Sequence, residues 1–478
     1  MVRKNTSRVI CNLCWLLAAA FTPGVARAQG YVPEWLYHVE FGAEDQQVGV
    51  AFGDDGPPAG PKDLAAGPDG TLYLADRVNH CVKAFDAAGR LLMRTERDLL
   101  RVNHAAILPS DDVPVMHAEP LFNVNAIAVE QATGSVYALW SASLNLLSKF
   151  AADGSHLWTI NTFEALPRGL GSAGLPSVAP GGNVCLGRGR RSLAVLDGAD
   201  GRFHGVLEGN YCTETGRTYS VMRVAPGDLY GSRVVVRNTQ GLPMADYILQ
   251  PVPPQFSLFA GVELGGRGTL DAHDYMYRVA RAKSPVPLPL SPTLTAYTDI
   301  VVTRYSPAGV PVAHLRFPGL PFDIPRGVAV DPAGNLYRLA FDATGMNVIR
   351  YRLLPGPFAG LQTLHELPSL ALEGTPHVPL RTLAESARLP VQWDPKQGVA
   401  VVGASEDGES ATEVARFRPG REGTVMHRGH LWVPDSVGPK LGVVLKRDPS
   451  ARIAFVERRQ ETTVGRAPRR DVRLAGSG

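Results

Sequence analysis

Short apolar runs separated by turn residues recur along the chain, and the clearest example spans residues 60–92. Within it, residues 72–75 (Leu-Tyr-Leu-Ala) are too few and too evenly apolar for an amphipathic helix, so we predict a β-strand covered on both faces. Gly-Pro-Asp-Gly at 67–70 and Asp-Ala-Ala-Gly at 86–89 favour tight turns. Four short strands cannot bury both of their own faces, so further copies are expected beside this unit.

Further units with the same order of strands and turns follow along the chain. They lie at 125–158, 175–207 and 326–353, with weaker versions at 221–236 and at 256–279 joined to 299–315. The pattern therefore predicts about six units. The apolar run 35–41 precedes the first unit, and we expect this strand to complete the last one. Insertions at 93–122 and 281–297 are interpreted either as a ligand-facing rim or as extra surface length.

The unit at 60–92 resembles an NHL repeat. The resemblance rests on Pro-Asp-Gly at 68–70, Leu-Tyr-Leu-Ala-Asp at 72–76, Asn79-His80, and Asp-x-x-Gly at 86–89. The unit that begins at Arg326 is similar through Gly-Val-Ala-Val-Asp at 327–331 but lacks the Asn-His element. In that family each repeat is one blade of a β-propeller. The resemblance implies an all-β, six-bladed β-propeller over residues 35–360, in which ring closure buries both faces of every blade.

The spacing of the apolar residues along the chain changes after residue 367. Leu380, Leu383 and Ala384 fall on one face of a predicted helix, and residues 391–402 indicate a strand, a turn and a second strand. Val-Pro-Leu-Arg at 378–381 and Val-Gln-Trp-Asp at 391–394 resemble the domain named after the N-terminal domain of copper amine oxidases. We therefore expect a small C-terminal α+β domain at residues 365–457.

Both ends of the chain have distinctive compositions. Residues 1–28 have a basic start, an apolar core at 9–21 and Ala-Arg-Ala at 26–28, which is the plan of a secretory signal peptide. This core is shorter than the roughly 20 residues that a membrane span requires. A secreted, extracellular or cell-wall-associated protein is therefore expected, without a transmembrane segment after signal removal. Residues 458–478 are rich in arginine and are predicted to be a disordered basic tail.

Charge and cysteines narrow the classes of partner and fold. The formal net charge is +3, without the concentrated basic face that a phosphate backbone requires, so nucleic acid is not an expected partner. Signal removal leaves Cys81, Cys185 and Cys212. Cys81 is interpreted as a buried, inert thiol within a strand. Whether Cys185 and Cys212 pair is left open, because the sequence does not fix the distance between them.

The familiar catalytic signatures are missing from the sequence. We find no His-Glu-x-x-His, Gly-x-Ser-x-Gly, phosphate-binding Gly-Lys-Ser/Thr or Cys-x-x-Cys motif. Some NHL-type propellers are enzymes, such as amidating lyases, with a metal in the central channel. The resemblance places the start of each innermost strand along that channel, which here selects Asp63, Asn125, Pro176, about Met222, and Arg326.

These channel positions lack the nitrogen and sulfur ligands of a zinc site. Asp63 and Asn125, together with backbone carbonyls, are candidate ligands for a structural Ca²⁺ ion. A channel filled by water and polar side chains is the alternative, and no other cofactor is expected. Asp63, Asn125 and Arg326 are also the candidate ligand-binding residues. Asp271 and His273, in an Asp-x-His-Asp cluster, are interpreted either as metal ligands or as parts of a polar turn.

The function expected from these observations is binding without catalysis. We predict a monomeric, secreted binding or scaffolding protein of the cell envelope, whose propeller rim binds a protein, a peptide or a cell-wall glycan. The alternative hypothesis is a metal-assisted hydrolase or lyase with its site in the propeller channel. The fold does not decide between these hypotheses, since one fold hosts many functions.

Overall fold

The computed structural model describes residues 30–51, 59–67, 69–95, 123–141, 146–167, 175–188, 192–223, 232–252, 267–289, 295–318, 328–341, 344–354, 361–372, 374–387, 389–406, 410–427, 429–447 and 453–458. Most of the regular structure in these residues is β-strand, arranged mainly in small four-stranded sheets. Within these ranges, no helix is long and apolar enough to cross a membrane. The predicted signal peptide and all but the first residue of the predicted basic tail lie outside the described residues.

Strand β1 (Gly30–Glu40) precedes a series of sheets, the first four of which each consist of four antiparallel strands that lie side by side in chain order. The first four sheets consist of β2 (Asp63–Ala66), β3 (Leu72–Asp76), β4 (Cys81–Phe85) and β5 (Leu91–Arg94); β6 (Asn123–Val129), β7 (Val136–Ser141), β8 (Leu146–Phe150) and β9 (His156–Asn161); β10 (Pro176–Val178), β11 (Val184–Arg188), β12 (Ser192–Leu196) and β13 (Phe203–Glu208); and β14 (Tyr211–Cys212), β15 (Thr218–Arg223), β16 (Ser232–Arg237) and β17 (Pro243–Leu249). A short helix, α1 (Thr162–Ala165), follows β9, and a 3₁₀ helix (Pro180–Gly182) follows β10.

The fifth and sixth sheets of the series again contain consecutive antiparallel strands, and the sixth also includes β1. They contain β18 (Arg267–Leu270), β19 (Met276–Pro289), β20 (Thr295–Tyr305) and β21 (Pro311–Phe317), and then β22 (Val328–Val330), β23 (Leu336–Phe341) and β24 (Gly345–Leu354). β1 pairs antiparallel with β24 from Gly30 opposite Leu354 to Glu40 opposite Gly345. The prediction that the strand before the first repeat completes the last unit is thus confirmed, although that strand begins earlier than predicted.

Tyrosines on the second strands link neighbouring sheets. The Tyr73 hydroxyl donates to the carbonyl of Gly134 at 3.4 Å, and the Tyr277 hydroxyl lies 3.3 Å from the carbonyl oxygen of Gly334. The Tyr137 hydroxyl makes the same contact with Gly182. Each glycine lies in the next sheet along the chain and has a positive φ, between 73° and 82°, where a side chain would be strained. The turn glycines of the repeat therefore serve both the turn and the junction between sheets.

Apolar side chains fill the spaces between adjacent sheets. One cluster packs Leu64, Leu74 and Phe85 of the first sheet against Leu339 and Val348 of the sixth. Other clusters join the first sheet to the second, the second to the third, the fourth to the fifth and the fifth to the sixth. This arrangement of small sheets, each covered on both faces, is consistent with a β-propeller.

The chain after the sixth sheet is partly continuous with the fifth. β25 (Gln362–Pro368) pairs in parallel with β21, and β34 (Ile453–Arg458) and β33 (Val444–Arg447) extend the same sheet to seven strands. Two further sheets and two helices lie between them: β26 (Leu370–Leu372), β27 (Thr375–Pro379), β31 (Val425–His427) and β32 (His430–Pro434); β28 (Val391–Asp394), β29 (Val399–Glu406) and β30 (Ser410–Phe417); α2 (Leu380–Ser386) and a 3₁₀ helix (Asp435–Leu441). Leu380, Leu383 and Ala384 of α2 are buried in their core. The limits at 360 and 365 and the resemblance to the copper amine oxidase domain stay predictions.

The fourth sheet departs from the sequence-based units. The repeat expected at 221–236 in fact begins at β14, and Met222, expected at the channel, lies on β15, the second strand. β14 has only two residues, so no apolar run marks it in the sequence. Of the insertions, most of 93–122 lies outside the described residues, whereas the described parts of 281–297 belong to the paired strands β19 and β20.

Candidate functional site

A cavity of about 650 Å³ lies where the first strands of the sheets end. Its wall includes residues of all six first strands, namely 64–66 of β2, 128–129 of β6, 176–178 of β10, 211–212 of β14, 269–270 of β18 and 328–330 of β22. The turns that follow four of these strands, all but β2 and β10, provide most of the remaining lining residues, and Leu175 before β10 and Tyr219 on β15 complete the wall. Because the first strands approach one another here, residues distant in sequence share one concave surface. Such a cavity is the default location for a ligand.

Polar groups from three sheets are joined by hydrogen bonds at this cavity. The half-buried Glu214, in the turn after β14, accepts a hydrogen bond from the backbone N–H of Gln131 at 2.5 Å. The side-chain amide of Gln131 donates to the carbonyl of Ala66 at 2.8 Å. The second sheet therefore bridges the first and the fourth, and this bridge fixes the position of the Glu214 carboxylate.

A second link joins the fourth sheet to the fifth. Arg217 forms an ion pair with Asp274, and both side chains line the cavity. Asp274 has a φ of +64° in the turn between β18 and β19, which aspartate tolerates better than most residues. The lining also includes Asp271 and Asp331. Asp274 is paired with Arg217 and Asp271 with the buried Arg304, so Glu214 and Asp331 give this end of the channel a negative balance.

Burial and a neighbouring carboxylate affect the ionisation of Glu214. Burial raises its pKa, and repulsion from Glu130 adds to this effect, whereas the hydrogen bond from Gln131 opposes it. Glu130 itself is paired with Lys149 at 3.5 Å. Protonation of Glu214, or a cation placed beside it, would therefore stabilise the folded protein.

The raised pKa of Glu214 predicts a pH-dependent effect on stability. The folded protein binds this proton more tightly than the unfolded chain, whose pKa is near 4.5, so the stabilisation is complete below pH 4.5 and is lost as pH rises through the higher folded value. At pH 7, Glu214→Gln should therefore raise the melting temperature, and the gain should vanish below pH 4.5. Thermal unfolding followed by circular dichroism across this range measures the difference.

Glu413→Gln is the matched control, because hydrogen bonding to Arg416 lowers the pKa of Glu413 instead of raising it. This variant should show no gain at pH 7. A Glu214→Gln variant that melts below the wild type at pH 7 would contradict the prediction.

Asp271 belongs to a buried network beneath the cavity. Its carboxylate accepts hydrogen bonds from the Tyr277 hydroxyl at 2.9 Å and from Arg304 at 3.1 Å. It also accepts the backbone N–H groups of His273 and Tyr275 at 2.9 and 3.0 Å, which is the geometry of an Asx turn. The His273 side chain is exposed and is not among the cavity-lining residues. The structure thus favours the polar turn over shared metal ligation by Asp271 and His273.

Asp63 and Asn125, the other predicted site residues that the structure describes, do not line this cavity. Asp63 is 1% exposed, and its carboxylate accepts the backbone N–H of Ile127 at 2.9 Å, which ties the first sheet to the second. Asn125 is half-buried at a bulge between Val124 and Ala126. Both precede the parts of their strands that line the cavity, and Arg326 lies outside the described residues.

No metal centre is assembled among the residues that the structure describes, since these contain no group of three or more His, Cys, Asp or Glu side chains placed to hold an ion. Calcium at Asp63 and Asn125, and the metal-assisted alternative, stay predictions.

Glu214, Arg217 and Gln131 were not predicted as site residues from the sequence. Each lies in the turn that follows the first strand of its sheet. Choosing the residues directly after each first strand, instead of those at its start, would therefore have selected them. In the fourth sheet this position could not be found, because β14 is only two residues long and is not recognisable in the sequence.

The chain matches one repeat model and is similar to several solved structures at low sequence identity. Similar solved structures include Kuenenia stuttgartiensis hydrazine synthase (13% identity, TM-score 0.34, covering 68% of this chain and 94% of the other), streptogramin B lyase (11%, 0.33, 68% and 98%) and U3-55K (12%, 0.33, 82% and 100%). Among curated proteins, no sequence matches this chain significantly. The NHL repeat model matches residues 59–85, which contain β2, β3 and β4. The chain therefore contains an NHL repeat at the position that the sequence pattern selects most clearly.

Proposed function

We propose that this chain is a secreted, monomeric binding protein of the cell envelope, built on a six-bladed NHL-like propeller. Its ligand is a cationic segment of a peptide or protein, held in the acidic mouth of the channel. One observation carries the proposal: the cavity of about 650 Å³ is lined by six first strands and bordered by carboxylates. Pre-formed cavities of this size suit a small ligand or one segment of a larger one.

The chemistry of the cavity supports a ligand with both apolar and cationic parts. The first strands contribute mainly aliphatic lining, such as Leu64, Val129 and Val328. Glu214 and the Arg217–Asp274 pair border this apolar floor. An ammonium group beside Glu214 would compensate a carboxylate that burial and Glu130 destabilise. An apolar stem, such as that of lysine, would contact the aliphatic wall.

Titration of the purified full chain with four probes tests the proposal: trilysine, trialanine, triglutamate and the N-acetylglucosamine trimer. Isothermal calorimetry at low and at physiological salt should detect trilysine binding that weakens with salt. The Glu214→Gln variant should lose about tenfold in affinity, which corresponds to one charge-assisted hydrogen bond.

Glu413→Gln, far from the cavity on β30, controls for the loss of one carboxylate. It should bind trilysine as the wild type does. Binding of the sugar trimer alone would indicate a glycan-binding protein instead. Equal affinities of the Glu214→Gln variant and the wild type would show that the proposed site is wrong.

A further inference from the structure

Two of the three described cysteines converge beside the cavity. Cys185 lies on β11 of the third sheet and is fully buried, whereas Cys212 ends β14 of the fourth sheet and lines the cavity. They share one apolar cluster with Ala179, Leu193 and Val195. Contact between β11 and β14 therefore places thiols 27 positions apart in sequence in one small space.

Ser177 fixes the arrangement of the two cysteines. It lies opposite Cys185 in the β10–β11 ladder, and its hydroxyl is 3.5 Å from the Cys185 carbonyl. The same hydroxyl is 3.2 Å from the Cys212 sulfur and accepts the Cys212 backbone N–H at 3.4 Å. Hydrogen bonding to Cys212, together with burial, raises the pKa of the Cys185 thiol. The two thiols therefore lie within interaction distance of each other in the same apolar cluster.

We propose that Cys185 and Cys212 form a disulfide that holds the cavity wall of the fourth sheet to the third. The oxidant is a small disulfide such as oxidised glutathione. Cys212, which faces the cavity, attacks it first and releases one glutathione thiol. The sulfur of Cys185 then displaces the second glutathione. Two protein S–H bonds and the glutathione S–S bond break, while one protein S–S bond and two glutathione S–H bonds form.

The bond has a mechanical role because β14 is weakly held. This strand has only two residues in its ladder with β15, yet it carries the turn with Glu214 and Arg217. A covalent tie to β11 restricts this turn in a way that two ladder pairs do not. Oxidation therefore stiffens one side of the candidate site, independently of which ligand occupies it.

Peptide mapping of the full-length wild-type protein tests the bond. The protein is equilibrated with oxidised glutathione, both when folded and during refolding from denaturant, and is then unfolded in N-ethylmaleimide and digested. The expected product joins the peptides of Cys185 and Cys212 and is two hydrogen atoms lighter than their sum. Cys81, buried in the first sheet, should carry maleimide instead. A sample reduced before alkylation supplies the matched control, in which the peptides of Cys81, Cys185 and Cys212 are each modified separately.

Separate alkylation of Cys185 and Cys212 after oxidative refolding would overturn the proposal, as would a bond from either to Cys81. Hydrogen exchange of residues 209–223 provides the second readout. This segment should exchange more slowly in the oxidised protein, whereas β2 to β5 should be unchanged. Equal exchange of residues 209–223 in both redox states would exclude the stabilising role.

Discussion

Glu366→Gln should lower the free energy of unfolding by about 3–5 kcal/mol, because it leaves a buried guanidinium without its anion. Glu366 is fully buried on β25, where it pairs with Arg338 of β23 and accepts the Tyr351 hydroxyl at 2.7 Å. Arg338 is 2% exposed and lies over the Phe317 ring at 5.2 Å, so water cannot replace the lost carboxylate. Urea unfolding followed by tryptophan fluorescence measures the change.

The double variant Arg338→Met/Glu366→Gln separates the buried charge from the change of side chain. It removes the cation as well, so it should recover much of the stability that the single variant loses. Glu413→Gln removes the anion of an exposed pair with Arg416 and should change the stability little. A double variant as unstable as Glu366→Gln would show that the cost does not arise from an uncompensated charge.

This pair also explains how the C-terminal part is attached to the ring of sheets. β25 hydrogen-bonds to β21, and Glu366 reaches Arg338 in the sixth sheet. The C-terminal strands therefore contact two neighbouring sheets of the ring through one buried network. The sequence predicts a domain boundary near 360–365, yet one hydrogen-bonded sheet contains strands from both sides of it.

The fold was largely predictable where the sequence alternates apolar strands with glycine turns. Residues 72–75 became part of β3, buried throughout, and Gly70 and Gly134 adopt the positive φ that their turns require. β14 was not predictable, because two residues give no period and its position depends on contacts with β10 and β15. Local pattern determines a strand only when the strand is long enough to show one.

The candidate site was less predictable than the fold. Asp63 has the right residue type for a channel ligand, but its carboxylate holds the Ile127 backbone N–H of the neighbouring sheet. Asp271 is likewise used by Tyr277 and Arg304. Glu214, in contrast, follows no recognisable motif, and its environment comes from Gln131 and Glu130 of another sheet. Residue type suggests chemistry, whereas partners from distant segments decide whether a side chain is available for it.

Because β1 closes the ring by pairing with β24, one methyl group added at their contact should have a large effect on stability. Gly345→Ala should destabilise the protein by about 1–3 kcal/mol, because overpacking forces the backbone apart. A Cβ at Gly345 would lie 2.2 Å from the carbonyl oxygen of Val39 and 2.5 Å from the His38 ring. Gly345 faces Glu40 at one end of the β1–β24 ladder, so the clash should separate the two strands there. Urea unfolding gives the loss of stability, and faster hydrogen exchange in residues 36–40 locates it.

Gly205→Ala is the matched control, since Gly205 also lies within a strand, β13, and an added Cβ would meet no atom within 4 Å. That substitution should leave stability unchanged or raise it by up to about 1 kcal/mol, because alanine loses less conformational entropy on folding. Equal effects of the two substitutions would show that the contact with β1 is not tight. Faster exchange spread evenly over all sheets would instead show that β1 and the rest of the ring unfold as one cooperative unit, since β1 completes the sixth sheet.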